Sequence, residues 1–471
     1  MIRFSLKITT LSSHLPSFPP ISYNAGMALK ISISGVRGTI PDSLTPELCL
    51  DFAKAFGTYT NGGMIIIGID PRPSSEYIKG IIYAGLLSAG CKVIDIGIAP
   101  TPTVGIMTKL LRADGGIVVT ASHNPLPWNG IKFMTPEGLF LNEKKAAKLI
   151  DLYEKKKFRV ATPQTVESND QAIALHIKKV LKVVDINLIR KKKFRVALDG
   201  CNGAGSVALV ELLKKLGCIV LPINCDVHLP FPHNPEPIPE NITELTSYVQ
   251  AKKTDVGFVV DADADRLAIV ADGGFAIGEE LTLALAAASI LEAAPNAKAR
   301  KHTIVTNLST SRVVDDVAKR YGAKVVRTKI GEIHVVEEII RQEAIIGGEG
   351  NGGVIFPQVG YNRDSLAGIA LILHYMAKSG QPLSKLARSL PQYVMIKSKV
   401  DCAGQFEVNE WLEKVKKSFA GEEMVTKDGI KVVFHDSWVH VRASNTEPII
   451  RIMAEAPTKE KAENLIKRIT G

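Results

Sequence analysis

Short apolar runs, each followed at once by a polar loop, recur along the chain at Met64–Asp70, Gly116–Ser122, Phe194–Asp199, Val256–Asp261, Thr303–Asn307 and Ala344–Glu349. Helix-like stretches lie between members of each pair, at Ser75–Ala89, Val207–Leu216 and Thr310–Tyr321. Unbroken Val- and Ile-rich runs alternating with helices predict parallel strands buried on both faces. Two such strands per block, three times over, predict three α/β domains of similar plan. The last block differs. Lys431–Phe434, Trp438–Arg442 and Ile449–Ala454 follow one another too closely for helical crossovers, so they pair antiparallel. A final helix is expected from Lys459 to Ile469, making a smaller α+β domain. The expected fold class is therefore α/β: three similar α/β domains with mixed, largely parallel sheets, plus a C-terminal α+β domain. The helix Leu366–Lys378, with Gly380 and Pro382 after it, marks the last boundary. The expected divisions are residues 27–165, 166–275, 276–382 and 383–471.

Composition narrows the class. A chain of 471 residues that is 46% hydrophobic and 23% charged has material for several cores, which excludes a disordered chain, a collagen and a coiled coil. The longest uncharged apolar stretch, Leu281–Leu291, falls short of the ~18 residues a membrane span needs and reads as a buried helix. No membrane partner is expected. Lys and Arg number 58 against 48 Asp and Glu, a surplus of +10 that favours anionic partners. No zinc-finger spacing, RNP aromatic pattern or basic heptad region accompanies it, so nucleic acid is not expected, and a phosphorylated small molecule satisfies the same bias. The twice-occurring Lys-Lys-Lys-Phe-Arg-Val, at 155–160 and 191–196, reads as solvated faces. Six scattered cysteines without a CxxC fit free thiols in a reducing, cytoplasmic compartment. Residues 1–26 are basic and acid-free but hold no apolar h-region, which argues against a secretory signal. A transit peptide, a flexible tail and a true start at Met27 are the readings, and the last two are favoured because strand-like sequence begins near Leu29.

Four loops carry candidate chemistry. Thr120-Ala-Ser-His-Asn-Pro125 follows a buried strand, and ligands gather at the carboxyl ends of such strands. Ser122 there stands beside His123, with Asn129-Gly-Ile-Lys132 soon after. In Asp261-Ala-Asp-Ala-Asp-Arg266, small spacers let three carboxylates converge, and their repulsion calls for a divalent cation. An EF-hand does not fit, because Arg266 stands at its glycine position and Asp272 at its glutamate position. Hard oxygen ligands in a phosphate enzyme point to Mg²⁺. In Gly347-Gly-Glu-Gly-Asn-Gly-Gly353, Glu349 and Asn351 suit vicinal sugar hydroxyls, although a plain turn explains the glycines equally well. Arg442-Ala-Ser-Asn-Thr-Glu-Pro448, with Arg451 beyond, offers arginine forks, hydroxyls and an amide to a phosphate. Arg37, between glycines, says nothing alone.

Together and in this order these motifs resemble the α-D-phosphohexomutase family, the phosphoglucomutase and phosphomannomutase enzymes, over roughly Leu29 to the C-terminus. The resemblance implies four domains arranged as a heart around a central cleft. Ser122 would carry the phosphoryl group, and Asp261, Asp263 and Asp265 would hold Mg²⁺ against it. Arg37, Lys132 and His123 would complete the catalytic set near the reacting phosphate. Arg266 would help with the sugar phosphate, and Glu349 and Asn351 would read the sugar hydroxyls. Arg442, Ser444, Asn445 and Thr446, with Arg451, would grip the non-reacting phosphate. The implied reaction interconverts hexose 1- and 6-phosphates of glucose or mannose through a phosphoserine enzyme. A sugar 1,6-bisphosphate would be intermediate and activator, in a monomer or homodimer.

Two departures stand out. The family's sugar loop often reads Glu-x-Ser-Gly-His, whereas here Asn351 replaces the serine and Gly353 the histidine, which leaves the general base open. Thr328-Lys-Ile-Gly-Glu332 resembles the Lys-Val-Gly-Asp of phosphoglucosamine mutases, bringing in Lys329 as a substrate contact and Glu332 either as an amino-sugar reader or, equally, as a neighbour of a helix N-cap. A phosphoglucosamine mutase is therefore the alternative. A metal-dependent serine phosphatase is a remoter one.

Overall fold

The computed structural model describes residues 29–293, 302–402, 405–444 and 449–470. The expected N-terminal tail, Asn445 and Thr446 lie outside the described residues. Among the described residues no helix is long and apolar enough to cross a membrane. The six cysteines are all free.

Four sheets follow one another along the chain. The first has seven strands, with Met64–Ile69, Lys92–Ile98 and Gly115–Val119 parallel at its centre. The second has five, in which Val256–Val260, Arg195–Asp199 and Ile219–Ile223 run parallel. The third has four, with Lys324–Thr328, Thr303–Asn307 and Ile346–Glu349 parallel. The fourth is an antiparallel sheet of five strands, with Val394–Asp401 at one edge and Glu423–Val425 at the other.

Each of the first three sheets departs from parallel order at the same place. The strand Gly115–Val119 is followed by an antiparallel return, Trp128–Met134. Val256–Val260 returns as Leu267–Ala271, and Ile346–Glu349 as Gly353–Ile355. The serine, acidic and sugar loops are the connections of these three hairpins. Trp438–Ala443 and Ile449–Ala456 also pair antiparallel, and the fourth motif joins them. A hairpin turn leaves its loop at the sheet's end with backbone groups unpaired, the geometry a ligand site needs.

The cores show which parts are packed together. A single core runs through the second and third units, from Leu198 and Phe258 to Ile346, Leu371 and Leu386. The first unit has its own clusters, although Ile106 joins the shared core. The segment 383–393, expected to open the last domain, divides: Leu383, Leu386 and Leu390 belong to the shared core, and the fourth sheet begins at Val394. The predicted helix at Thr310 starts instead at Val313, because Thr310 turns back onto the Asn307 side chain.

The fourth unit has a separate core and meets the third largely through polar groups. Glu455 accepts from the Arg312 amide at 3.0 Å and also from Ser311 and Trp438. Lys431 Nζ donates to the Leu308 carbonyl at 2.6 Å. His440 Nε2 donates to the Asp428 carbonyl at 2.6 Å, so its Nδ1 accepts from Ser309, 2.9 Å away. This is the neutral imidazole, and burial pushes its pKa down to about 4. The unfolded chain takes up this proton near pH 6.5, the native one only near 4, so stability is lost as pH falls through that window. The loss is about 2 kcal/mol by pH 5. We expect unfolding midpoints at pH 7 and pH 5 to lie closer together in His440→Asn than in the wild type; equal spacing would contradict this assignment.

Candidate active site

The serine loop is held from below. Asp70 Oδ2 accepts from Thr120 Oγ1 at 2.6 Å and from Arg72 Nε at 2.9 Å. Arg72, fully buried, also donates to the carbonyls of Ser122 and of Trp128, the latter at 3.0 Å. Thr120 Oγ1 in turn receives the Ser122 amide at 2.8 Å. These bonds hold Ser122 at φ +52°, a left-handed conformation that costs a serine roughly 1 kcal/mol or more. Strain maintained by a buried network turns the side chain to one place: Ser122 Oγ donates to Asp261 Oδ2 at 2.8 Å. His123 Nδ1 lies 3.4 Å from the same oxygen. Its enclosure, then the charges of Arg266, Arg37 and Arg363, hold His123 well below the usual imidazole range, hence neutral. Arg37 donates to Asn124 Oδ1 at 3.2 Å, on the same loop.

The acidic loop converges as its spacing predicts. Asp261, Asp263 and Asp265 are all fully buried, with one oxygen from each within 4.8 Å of the others. Ala264, at φ +53°, provides the turn. Asp261 Oδ1 takes the amides of Asp265 and Arg266, both at 3.1 Å. Asp263 Oδ2 accepts from Thr101 Oγ1 at 2.6 Å and Lys132 Nζ at 2.7 Å. Asp263 Oδ1 and Asp265 Oδ1 receive no hydrogen bond although buried. Burial, then Asp265 and Asp263, push the Asp261 carboxyl well above its usual range. Burial would raise Asp263 too, but Lys132, the Thr101 hydroxyl and Arg363 together outweigh it and hold that carboxyl below its ordinary value. Two buried oxygens without donors beside a carboxylate that resists ionisation suit a hard divalent cation, whose charge would pull all three into the ionised form.

The sugar loop is tied to this cluster. Gly352, at φ +85°, brings its carbonyl within 3.0 Å of the Leu267 amide, just past the acidic loop, and a Cβ there would lie 2.3 Å from the Leu267 oxygen. Glu349 is buried. Its Oε1 accepts from Asn307 Nδ2 at 2.8 Å and the Gly331 amide at 3.3 Å, its Oε2 from Arg363 at 2.9 Å and Asn351 at 3.5 Å. The carboxylate thus accepts four hydrogen bonds, of which that from Asn351 is the longest. The carboxylate of Glu332 lies beside Arg363, with Oε2 3.2 Å from Nε. Burial raises its pKa to about 7. The Lys329 side chain is exposed.

In the fourth motif, Arg442 and Arg451 stand opposite each other on paired antiparallel strands. Like charges in that position repel. Burial, with Arg451 adding to it, lowers the Arg442 pKa, and Arg442 Nε is buried without a hydrogen-bond acceptor. A bound anion would answer both. Ser444 sits at the end of the first strand, its amide bonded to the Ile449 carbonyl at 2.9 Å. The turn at Ile330 and Gly331 links this unit to the sugar loop, since Ile330 N donates to Asp428 at 2.9 Å and Gly331 N to Glu349.

Comparison with known proteins finds matches over nearly all of the chain from residue 29 onward. Descriptions of phosphoglucomutase/phosphomannomutase α/β/α domains I, II and III match residues 29–160, 174–274 and 279–394, and that of the C-terminal domain matches 395–471. The chain belongs to the phosphoglucomutase/phosphomannomutase family. It is an enzyme of the phosphomutase type, an isomerase of the α-D-phosphohexomutase superfamily. A phosphoglucomutase/phosphomannomutase of Thermococcus kodakarensis is 39% identical over 447 residues, which cover 92% of this chain and 96% of that one. A phosphoglucosamine/phosphogalactosamine mutase of Sulfurisphaera tokodaii is 34% identical over 444 residues, covering 92% and 97%. The crystal structure of a family protein from Burkholderia thailandensis superimposes with a TM-score of 0.81 at 25% identity, over 93% of this chain and 96% of that one.

Reading motifs alone missed several residues of this phosphomutase's cleft. Arg72 and Asp70 sit on a different strand end from the loop they hold. Glu236 links Arg266 Nη1, at 3.3 Å, to His123 Nε2, at 4.0 Å, from a region of irregular structure. Asn307 ends a strand named above, so the rule that sites gather at strand ends could have found it.

Proposed function

We propose that this phosphohexomutase interconverts hexose 1-phosphate and hexose 6-phosphate, of glucose or mannose, through a phosphoserine at Ser122 and a sugar 1,6-bisphosphate. The observation that carries the reading is Ser122 Oγ at 2.8 Å from Asp261 Oδ2, inside the buried acidic cluster. Asp261, Asp263 and Asp265 would hold Mg²⁺, which when bound neutralises charge on the phosphoryl oxygens during transfer. Lys132, 2.7 Å from Asp263, and Arg37, anchored on Asn124, meet the same charge from the other side of the loop. Neutral His123, 3.4 Å from Ser122 Oγ, is the group able to take the proton released when a sugar hydroxyl attacks, and Lys132 stabilises charge as an ammonium. Glu349 and Asn351 orient the sugar ring. Arg442, Arg451 and the Ser444–Thr446 loop grip the phosphate that does not react. The bisphosphate then turns, and each of its ends meets the two sites in succession.

The second reading, a phosphoglucosamine mutase, draws support from the amino-sugar activity named for the Sulfurisphaera relative. Glu332, the residue that first suggested it, lies beside the same arginine as Glu349. A phosphorus NMR panel of glucose, mannose and glucosamine 1-phosphates, with Mg²⁺ and a trace of the matching bisphosphate, separates the readings. Conversion of the neutral sugars supports the first, a large preference for glucosamine phosphate the second, and release of inorganic phosphate alone a phosphatase. In the same assay Arg442→Met should raise KM at least tenfold and change kcat less, because it removes one fork from the distal phosphate. An unchanged KM would remove Arg442 from the phosphate site.

A further inference from the structure

We propose that Arg363 is the positioning residue that sets the sugar-reading carboxylate of Glu349 against the acidic loop, an assignment that rests on the mutase reading above. Two of its nitrogens donate to carboxylates on two segments, and a third lies beside a carboxylate on another without hydrogen-bond geometry. Nη2 lies 2.6 Å from Asp265 Oδ2, Nη1 2.9 Å from Glu349 Oε2 and Nε 3.2 Å from Glu332 Oε2. Its amide donates to the other Glu332 oxygen at 2.9 Å. Only a planar fork spans such a set; a lysine supplies a point charge. Burying so many ionisable groups together costs desolvation that their pairing repays only in part, a poor device for stability. What the arrangement does supply is a fixed distance between the group that orients the sugar and the group expected at the metal.

Two further observations show that the surroundings are shaped to this side chain. A Cβ on Gly353 would lie 2.2 Å from Arg363 Cδ and 2.8 Å from Cγ. Gly353 has no left-handed φ to explain it, so the glycine is there for room. The departure at 353 and the arginine at 363 form a matched pair. The base of the arginine is also anchored. The next residue, Asp364, caps the helix Ser365–Ser379 through the Leu366 amide at 2.9 Å and receives His176 Nε2 at 2.9 Å. His176 Nδ1 in turn lies 2.9 Å from Thr103 Oγ1, so the first, second and third units all fix the backbone beside Arg363.

The test compares two fates of the phosphoserine enzyme: transfer to a hexose phosphate, which needs the sugar placed, and slow loss to water, which does not. Arg363→Lys keeps the charge and loses the fork. Transfer should fall about a hundredfold, the cost of a displacement near 1 Å, while hydrolysis stays within threefold and the unfolding midpoint is kept. Gly353→Ala, which pushes the arginine aside, should lower the same ratio, and in an Arg363→Ala background it should add less than threefold. Transfer and hydrolysis falling together, no change in either, or fully additive costs would overturn the proposal. A wild-type enzyme that passes its phosphoryl group to no hexose phosphate would instead overturn the mutase reading itself.

Discussion

Ser122→Ala should lose mutase turnover by at least about 10³-fold while the chain folds as before. The hydroxyl is the acceptor and donor of the phosphoryl group in the proposed cycle, and no neighbouring alcohol can replace it. Thr120 Oγ1 is already engaged by Asp70 and by the Ser122 amide. The alanine variant keeps that amide bond and the left-handed backbone, so its unfolding midpoint should shift little. Ser122→Gly sharpens the expectation. Glycine accepts φ +52° without strain, so this variant should be at least as stable as the alanine one and equally inactive. Activity retained within tenfold in either variant would remove Ser122 from the chemistry.

Asp261→Asn should act on activity and stability in opposite directions. Three buried carboxylates within 4.8 Å repel one another in the absence of a cation, and Asp261 bears most of that cost. An asparagine oxygen can still accept the Asp265 and Arg266 amides, and its NH₂ can meet Ser122 Oγ. In chelator the variant should therefore be more stable than the wild type by roughly 1 kcal/mol or more. With Mg²⁺ present its turnover should fall at least a hundredfold, and the stabilisation that Mg²⁺ gives the wild type should largely disappear. Calorimetry with and without metal reads both. Equal destabilisation of the variant in chelator and in Mg²⁺ would mean that Asp261 is an ordinary structural carboxylate.

The sequence was most informative where chemistry and local geometry coincide. Asp261, Asp263 and Asp265 converge because alternating alanines in one short turn leave them little choice, and the structure brings Lys132 and Ser122 to the same point. The strand Val394–Asp401 was missed for the opposite reason. Its Lys397, Lys399 and Asp401 alternate with Ile396, Ser398 and Val400, and a search for unbroken apolar runs passes over that half-exposed edge. Arg363 lay beyond reach because its neighbours come from separate segments, Asp265 and Glu349 from two hairpins and Glu332 from the start of the helix Glu332–Gln342, which meet only in the folded chain. Gly353 held the trace of it: a departure from the family pattern that reads as a loss in one dimension is the room for a side chain in three. Glu332 is also beside that arginine, a neighbour its motif did not reveal.

The most direct measurement is a pulse and chase of the phosphoryl group on the purified enzyme with Mg²⁺. Labelled glucose 1,6-bisphosphate is given first, the site of label is mapped by mass spectrometry, and unlabelled glucose 1-phosphate follows. Label should appear on Ser122 and then leave into the sugar pool as bisphosphate and 6-phosphate. Label on any other residue, or label leaving Ser122 only as inorganic phosphate, would contradict the account.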